Sequence, residues 1–242
     1  MADADGGERA PWRSAAAQVL VEDLVAPELD RDAAHHLGRV LRLRSGAEVC
    51  ATDGAGGWRR CRFDGADGLD PGGEVQRVDA PAYPVTVGVA LVKGEKPELV
   101  VQKLTELGVD RIVVFAAQRS VVRWDDERAA KQLERMRRVA REACAQSRRL
   151  WLPVVDLASL SELVAGGAVA ADAGGRPMRA TDRTVLVGPE GGWADGELDA
   201  AGSGTVERVG MAEHVLRAET AAITAGVLLT TLRAGLAAPA AG

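Results

Sequence analysis

Aromatic side chains are nearly missing from this chain: its 242 residues hold five tryptophans, two phenylalanines and one tyrosine, 3% in all. A core with so few rings must come from many small contacts among Ala, Val and Leu, which carry most of the 47% hydrophobic content. Cysteine is almost as scarce. Cys50, Cys61 and Cys144 form an odd, widely spaced set with no CxxC pair, which argues against a disulfide framework and against a zinc site. The three histidines have no metal-ligand neighbour pattern, so no metal is expected, and His35 and His36 are expected in the packing of the first domain. No apolar run reaches the ~20 residues that cross a bilayer, so no membrane association is expected. The opening MADADGGERAPW is acidic and glycine-rich, without the basic and apolar regions of a signal peptide. Residues 1–14 are therefore expected to be a flexible leader, and the compartment cytoplasmic.

Charge is close to balanced. Acidic residues outnumber basic ones by 35 to 30, a net charge of −5 at pH 7, so the chain as a whole gives no sign of a nucleic-acid partner. The distribution is less even. Lys131, Arg135, Arg137, Arg138, Arg141, Arg148 and Arg149 crowd one region, and Arg39, Arg42, Arg44, Arg59, Arg60 and Arg62 another. Each group is a solvated arginine face or an RNA-binding patch, depending on contiguity in space.

From about residue 17 to 80 the pattern is one of short strands. QVLVEDL, AEVCATD and GWRRCRF read as strands, DGAGG (53–57) as a hairpin turn, and HHLGRVLRL as a helical interruption. DAPAYP (79–84) holds two prolines and marks a linker, which gives domains at 15–80 and 84–242. Beyond it VTVGVALV is a continuous apolar run, as in a strand buried on both faces. A helix over PELVVQKLTELG follows, with Pro97 suited to its first turn and Gly108 to its C-terminal cap. Then come a strand at RIVVFAA and a long helix from about Asp125 to Ser147. A capping box at Ser159–Glu162 opens a third helix. TVLVG and VERVG read as strands, and Ala218 to Arg233 as a small-residue helix. Strands alternating with helices predict a parallel sheet with helices on both faces.

Three stretches could carry chemistry. LVGPEGGW (186–193) is glycine-rich, yet no GK[ST] follows it and the GxGxxG spacing is absent, so it is neither a P-loop nor a dinucleotide fingerprint. Taken alone it is a strand-to-helix turn. HVLRAETAA (214–222) places Arg217 and Glu219 at a helix start, where a glutamate is favourable against the helix dipole. REACAQSRR (141–149) ends the basic helix, with Glu142, Gln146 and Arg149 spaced to line one side.

Their order is more telling than any one of them. KGEKPELVVQKLTELGVDRI, AQRSVVRW, REACAQSRR, LVGPEGGW and HVLRAETA, preceded by HHLGRVLRLRSGAEV, resemble in sequence the RsmE family, the ribosomal RNA small subunit methyltransferases E. The resemblance covers nearly all of the chain after the leader. It implies a PUA-like β-barrel domain at 15–80, and an α/β SPOUT domain at 84–242 with a parallel sheet and a C-terminal trefoil knot. It also implies a homodimer using S-adenosylmethionine to methylate uracil N3 of one uridine in the decoding region of 16S rRNA, on the small ribosomal subunit. Carried over by position, the cofactor-binding residues are Leu186, Gly188, Pro189, Glu190, Gly191, Gly192, Gly210, Met211, Leu216 and Thr220. Lys93, Arg119, Glu142, Gln146 and Arg148 match positions facing the RNA or target base, and Arg42 joins the RNA-binding set. The chain departs from the family in four places. Gln118 replaces an acidic residue, Met136 a common tryptophan and His214 a common arginine, and the segment between Gly210 and Leu216 is longer.

The implied reaction makes clear demands. Uracil N3 is a poor nucleophile until it loses its proton, and charge then spreads onto O2 and O4. Catalysis needs proton removal, in-line positioning and stabilisation of that charge. A guanidinium suits the last role, so Arg148 or Arg217 is expected to fill it. Glu219, Glu190 or Glu142 is the candidate base, with water as the acceptor if none is buried enough. Another SPOUT enzyme, acting on a ribose 2′-hydroxyl or a tRNA base, is the nearest alternative, and a non-catalytic rRNA-binding assembly factor the next. A nicotinamide-dependent enzyme would lack its phosphate fingerprint.

Overall fold

Short alternating stretches at the start of the chain become four strands: β1 (Ala17–Leu20), β2 (Glu48–Thr52), β3 (Gly57–Phe63) and β4 (Leu69–Arg77). The computed structural model describes residues 10–91, 96–202 and 205–237. The four strands form one sheet in the order β1-β2-β3-β4, with β2 and β3 antiparallel across the Asp53–Gly57 turn. β1 runs parallel to β2, so a crossover must join them. The crossover carries helix α1 (Arg31–His35), capped by the Asp30 side chain on the Ala33 amide at 2.7 Å, and continues as a π-helical turn over His36–Val40. Leu37, fully buried, packs with Val19, Val49, Ala51 and Phe63. His35 and His36, expected inside, are exposed; the inward position of this turn goes to Leu37. β4 contains Pro71, Gly72 and Gly73 and is exposed from Asp70 onward, as an edge strand tolerates.

β2 is buried on its other side too, by residues far away in sequence. Cys50 and Trp58 pack with Ala15 and Leu150, and Trp12, Val78 and Trp151 surround them. The contacts group Cys144–Leu152 with the residues up to Ala80, while Pro81–Ala143 and Pro153–Gly242 form the second unit. The Leu150–Leu152 stretch docks on the glycine turn: Gly56 N–H donates to the Leu150 carbonyl at 2.9 Å and Leu152 N–H to that of Gly54 at 2.8 Å. Gly56 is required there, because φ is +86° and a Cβ would lie 2.5 Å from the Trp151 ring. Burial pushes the Cys50 thiol up to about 12 and that of Cys144 to about 11. Both serve as small core hydrophobes.

The second unit is a six-stranded, all-parallel sheet in the order β10-β8-β9-β5-β6-β7. Its elements in chain order are β5 (Thr86–Ala90), α2 (Lys96–Leu107), β6 (Arg111–Phe115), α3 (Asp126–Gln146), β7 (Val154–Leu157) and α4 (Leu160–Ala165). Then follow β8 (Val169–Pro177), β9 (Thr184–Val187), α5 (Glu197–Ala200), β10 (Arg208–Gly210) and α6 (Ala218–Arg233). α4 opens with the full capping box of Ser159 and Glu162. Its Leu163 packs with Ala90, Val113, Phe115 and Leu186 on one sheet face. On the other face α6 contacts α2 and β5, and a Cβ on Gly226 would meet Leu104 at 2.5 Å, so a close helix approach explains the small residues of α6. Arg233 closes α6 by donating to the Tyr83 carbonyl at 3.1 Å and the Gly108 carbonyl at 2.8 Å, and it also pairs with Asp110. Among the described residues, no helix is long and apolar enough to cross a membrane.

Candidate functional site

Strand order places the site. From β5 the chain moves one way to β6 and β7, then returns to the other side as β8, β9 and β10. In a parallel sheet the crevice where the order reverses, at the carboxyl ends of the strands, is where ligands bind. Here that point lies between β5 and β9, and GPEGGW is the loop leaving β9, although the cavity it borders opens on the other side of β9, toward β8 and β10. Gly192, at φ +69°, closes a turn by donating to the Pro189 carbonyl at 2.8 Å. Trp193 stacks on Phe115, with centroids 6.0 Å apart, and its ring would lie 3.0 Å from a Cβ on Gly188. The first glycine therefore makes room for an indole as well as for a ligand.

Between this loop and the 211–217 segment opens a cavity of about 680 Å³, walled on a third side by Ala171–Ala173 of β8. Six of the ten residues expected to hold a cofactor line it: Gly188, Pro189, Glu190, Gly192, Met211 and Leu216. The other four are elsewhere. Leu186 is fully buried in the core, Gly191 faces Arg119, Gly210 lies against the Gly175 carbonyl, and Thr220 is exposed on α6. His214 is on the lining as well. The wall carries carboxylates, Glu190, Asp195 and Asp172, the last paired with Arg208 at 3.2 Å. The lining also holds Arg208, Arg217 and His214, so the wall is of mixed charge, with groups to meet both a carboxylate and a cation.

The catalytic candidates separate. Arg217 is exposed at the N-cap of α6 and lines the cavity, and its side chain makes no capping bond. Glu219 is half-buried in the first helical turn. Arg148 is occupied in the first unit: its Nη2 donates to the carbonyls of Ala15 at 3.0 Å and Ala16 at 2.9 Å. Of the RNA-binding candidates, Lys93 lies outside the described residues. Arg42, Arg119, Glu142 and Gln146 are exposed, and Glu142 sits 3.9 Å from Arg138. Both arginine groups shrink in three dimensions. Arg135 pairs with Glu98 at 2.9 Å and Arg137 donates to the Val155 carbonyl, leaving Arg128, Lys131, Arg138 and Arg141 as further exposed cations of α3. On β3, Arg59 donates to the carbonyls of Leu24, Val25 and Gly73, whereas Arg39, Arg42 and Arg44 remain exposed.

One residue was not foreseen. Glu197, only 4% exposed, accepts the Gln118 amide at 2.5 Å and the Ala194 amide at 2.9 Å. Next to Gln118, Arg119 donates to the Gly191 carbonyl at 3.1 Å. No sequence signal marks it, because the bond to Ala194 closes a turn ahead of α5 and the bond to Gln118 is long-range.

Family models match two parts of the chain: an RNA methyltransferase domain over residues 79–230 and an RNA methyltransferase PUA domain over residues 29–68. A Mycobacterium bovis protein named ribosomal RNA small subunit methyltransferase E is 36% identical over 221 residues, covering 81% of this chain and 83% of its own. The chain belongs to the RsmE family. A Synechocystis protein of the same name is 33% identical over 206 residues, covering 77% of this chain and 67% of its own. Among solved structures, a Legionella pneumophila protein assigned as a methyltransferase, with the cofactor SAM bound, superposes with a TM-score of 0.77 at 25% identity. That match covers 88% of this chain and 96% of the other. The Neisseria gonorrhoeae RsmE, at 23% identity and a TM-score of 0.75 over 89% of this chain and 97% of its own, shows the fold alone. Of the expected departures from the family, Met136 is a fully buried core side chain, and the backbone N–H of Gln118 donates to Glu197.

Proposed function

We propose that the chain transfers a methyl group from S-adenosylmethionine to N3 of one uridine in the decoding region of 16S rRNA, acting on the small ribosomal subunit as a homodimer. The cavity between the 188–196 and 211–217 loops carries this reading. It has the volume of a site for a nucleoside bearing an amino acid, glycine-rich loop walls, and both carboxylates and arginines, suited to a ligand with charges of both signs. The Legionella neighbour was solved with that cofactor bound. A knotted path is part of the proposal. Close packing at Gly175 is compatible with it: a Cβ there would lie 2.5 Å from the Val209 backbone, where the pairing of β8 with β10 shifts register.

When bound, S-adenosylmethionine supplies an electrophilic methyl group on a sulfonium. Glu190 and Asp195 would favour that cation, and the glycine-rich loop would present peptide groups to the adenosine and the amino acid. Arg217 would hold O2 or O4 of the uracil as its charge develops, since it lines the cavity and Arg148 is engaged elsewhere. Glu190 and Glu142 are exposed, so Glu219, half-buried two residues after Arg217 although not itself on the lining, is the carboxylate assigned to accept the N3 proton. Exposed Arg42, Arg119, Lys131 and Arg141 would meet phosphates, making binding salt-dependent.

The test is methyl transfer from labelled cofactor to isolated small subunits, naked rRNA and tRNA, followed by nucleoside analysis. The expected product is 3-methyluridine in 16S rRNA. Label in ribose or in tRNA would overturn the specificity, and no transfer with no cofactor affinity would favour an assembly factor. Arg217→Ala should lower turnover by about 100-fold or more with the fold intact.

A further inference from the structure

We infer that Glu197 is a positioning residue that pins the 188–196 loop to the loop carrying Arg119 and thereby sets the affinity of the cavity for its cofactor. The inference rests on the cofactor reading of the cavity given above. Glu197 does not line the cavity; it follows Asp195 and Gly196, which do. Taking a carboxylate out of water is costly unless hydrogen bonds replace its hydration. Both oxygens of Glu197 meet this need with peptide N–H groups, Gln118 at 2.5 Å and Ala194 at 2.9 Å.

Only the second of these bonds is local. The bond from the Ala194 N–H braces the turn that leads into α5, whose N-cap is Gly196 and whose first residue is Glu197. The bond to Gln118 leaves the turn for the loop after β6. From there Arg119 returns, donating to the Gly191 carbonyl at 3.1 Å, with Asp195 at 4.0 Å. Ser120 stiffens that loop by accepting the Ala117 amide at 3.2 Å. The contacts close a ring, from Glu197 to Gln118 and Arg119, on to Gly191, and through Ala194 back to Glu197. Two points of the loop are held, Gly191 just behind the lining and Ala194 on it, and between them lie Gly192 and Trp193, both facing the cavity. A wall held before the ligand arrives spares the ordering cost on binding.

Two measurements on the full chain test this. In Glu197→Ala and Glu197→Gln, amide hydrogen exchange should rise together in residues 116–121 and 188–196. The glutamine variant keeps one acceptor and so guards against a simple failure to fold. The dissociation constant for S-adenosylhomocysteine should rise about tenfold or more, while kcat at saturating cofactor stays within about threefold. Arg119→Ala combined with Glu197→Ala should weaken binding by less than the product of the single effects, because both act through the same ring. Exchange rising only around residue 197, or unchanged cofactor affinity in a destabilised variant, overturns the inference and leaves Glu197 a local brace of the 194–197 turn. If the unaltered chain binds no cofactor, the reading of the cavity fails, and the paired exchange response still decides the clamp.

Discussion

Arg148 has a structural role that its neighbours in sequence do not announce. It lies in a run of arginines beside a helix end, which suggests a surface that meets RNA. In the structure it takes φ +59°, in the left-handed region, and completes the C-terminal turn of α3. Its N–H donates to the Ala145 carbonyl at 3.3 Å, and that of Arg149 to Cys144 at 3.0 Å, the paired bonds of a Schellman ending. A side chain in that conformation costs about 1 kcal/mol or more, a cost glycine would avoid. The guanidinium offsets it by holding the carbonyls of Ala15 and Ala16. Arg148→Ala should therefore destabilise the protein by about 2 kcal/mol, read by urea unfolding, as a charged donor is lost while the strain stays. Arg148→Gly should lose about 1 kcal/mol less, because it relieves the strain. Full stability with abolished methyl transfer would instead return Arg148 to the reaction.

At the scale of elements, the sequence was readable wherever one rule acted alone. The apolar run of β5, the capping box of α4, Gly108 after α2 and the small-residue stripe of α6 each gave an element that the structure contains. β4 and β8 were not read as strands, because Pro71, Gly72 and Gly73 in one and Gly174 and Gly175 in the other look like turns. Sheet pairing overrides that local preference. What secures β8 to β10 is also long-range. Arg176 makes two 2.9 Å bonds to Asp182 and one of 3.0 Å to Glu207 just before β10. Burial pushes the Asp182 carboxyl up, but the hydrogen bonds from Arg176 and the Arg179 amide outweigh it and hold it below its ordinary value. Arg176 also holds Glu207 down. Both folded values lie below the unfolded ones, so the stabilisation is complete above the unfolded carboxylate range, near pH 4, and is lost as pH falls through the folded values. Arg176→Met should reverse this at Asp182, left buried without its cation. Melting temperatures from pH 7 to pH 3 should fall more steeply for the unaltered protein than for the variant, and parallel curves would sink the account.

At the scale of the whole molecule, the first unit is completed by residues that the sequence places in the middle of the second. Hydrophobic patterning over 15–80 reveals one buried face of the sheet, the one packed on Leu37. It gives no sign of the other, because Leu150 and Trp151 come from beyond α3, and nothing local links WL to a glycine turn at 53–57. Losing them is not a small matter. Burying each contributes about 1.5–3 kcal/mol, and a domain of roughly 60–70 residues has little stability to spare. Gly54 and Gly56 would also lose their bonds to Leu152 and Leu150, and the Cys50–Trp58 face would be open to water. Residues 1–80 alone should therefore show no cooperative thermal transition. The same fragment carrying residues 144–152 on a flexible linker should regain one, read by tryptophan fluorescence of the Trp12–Trp58 pair, whose rings lie 5.7 Å apart. If 1–80 alone melts as sharply and as high as the joined version, the first unit owes nothing to that segment. In that case the expected boundary at residue 80 would describe folding as well as sequence.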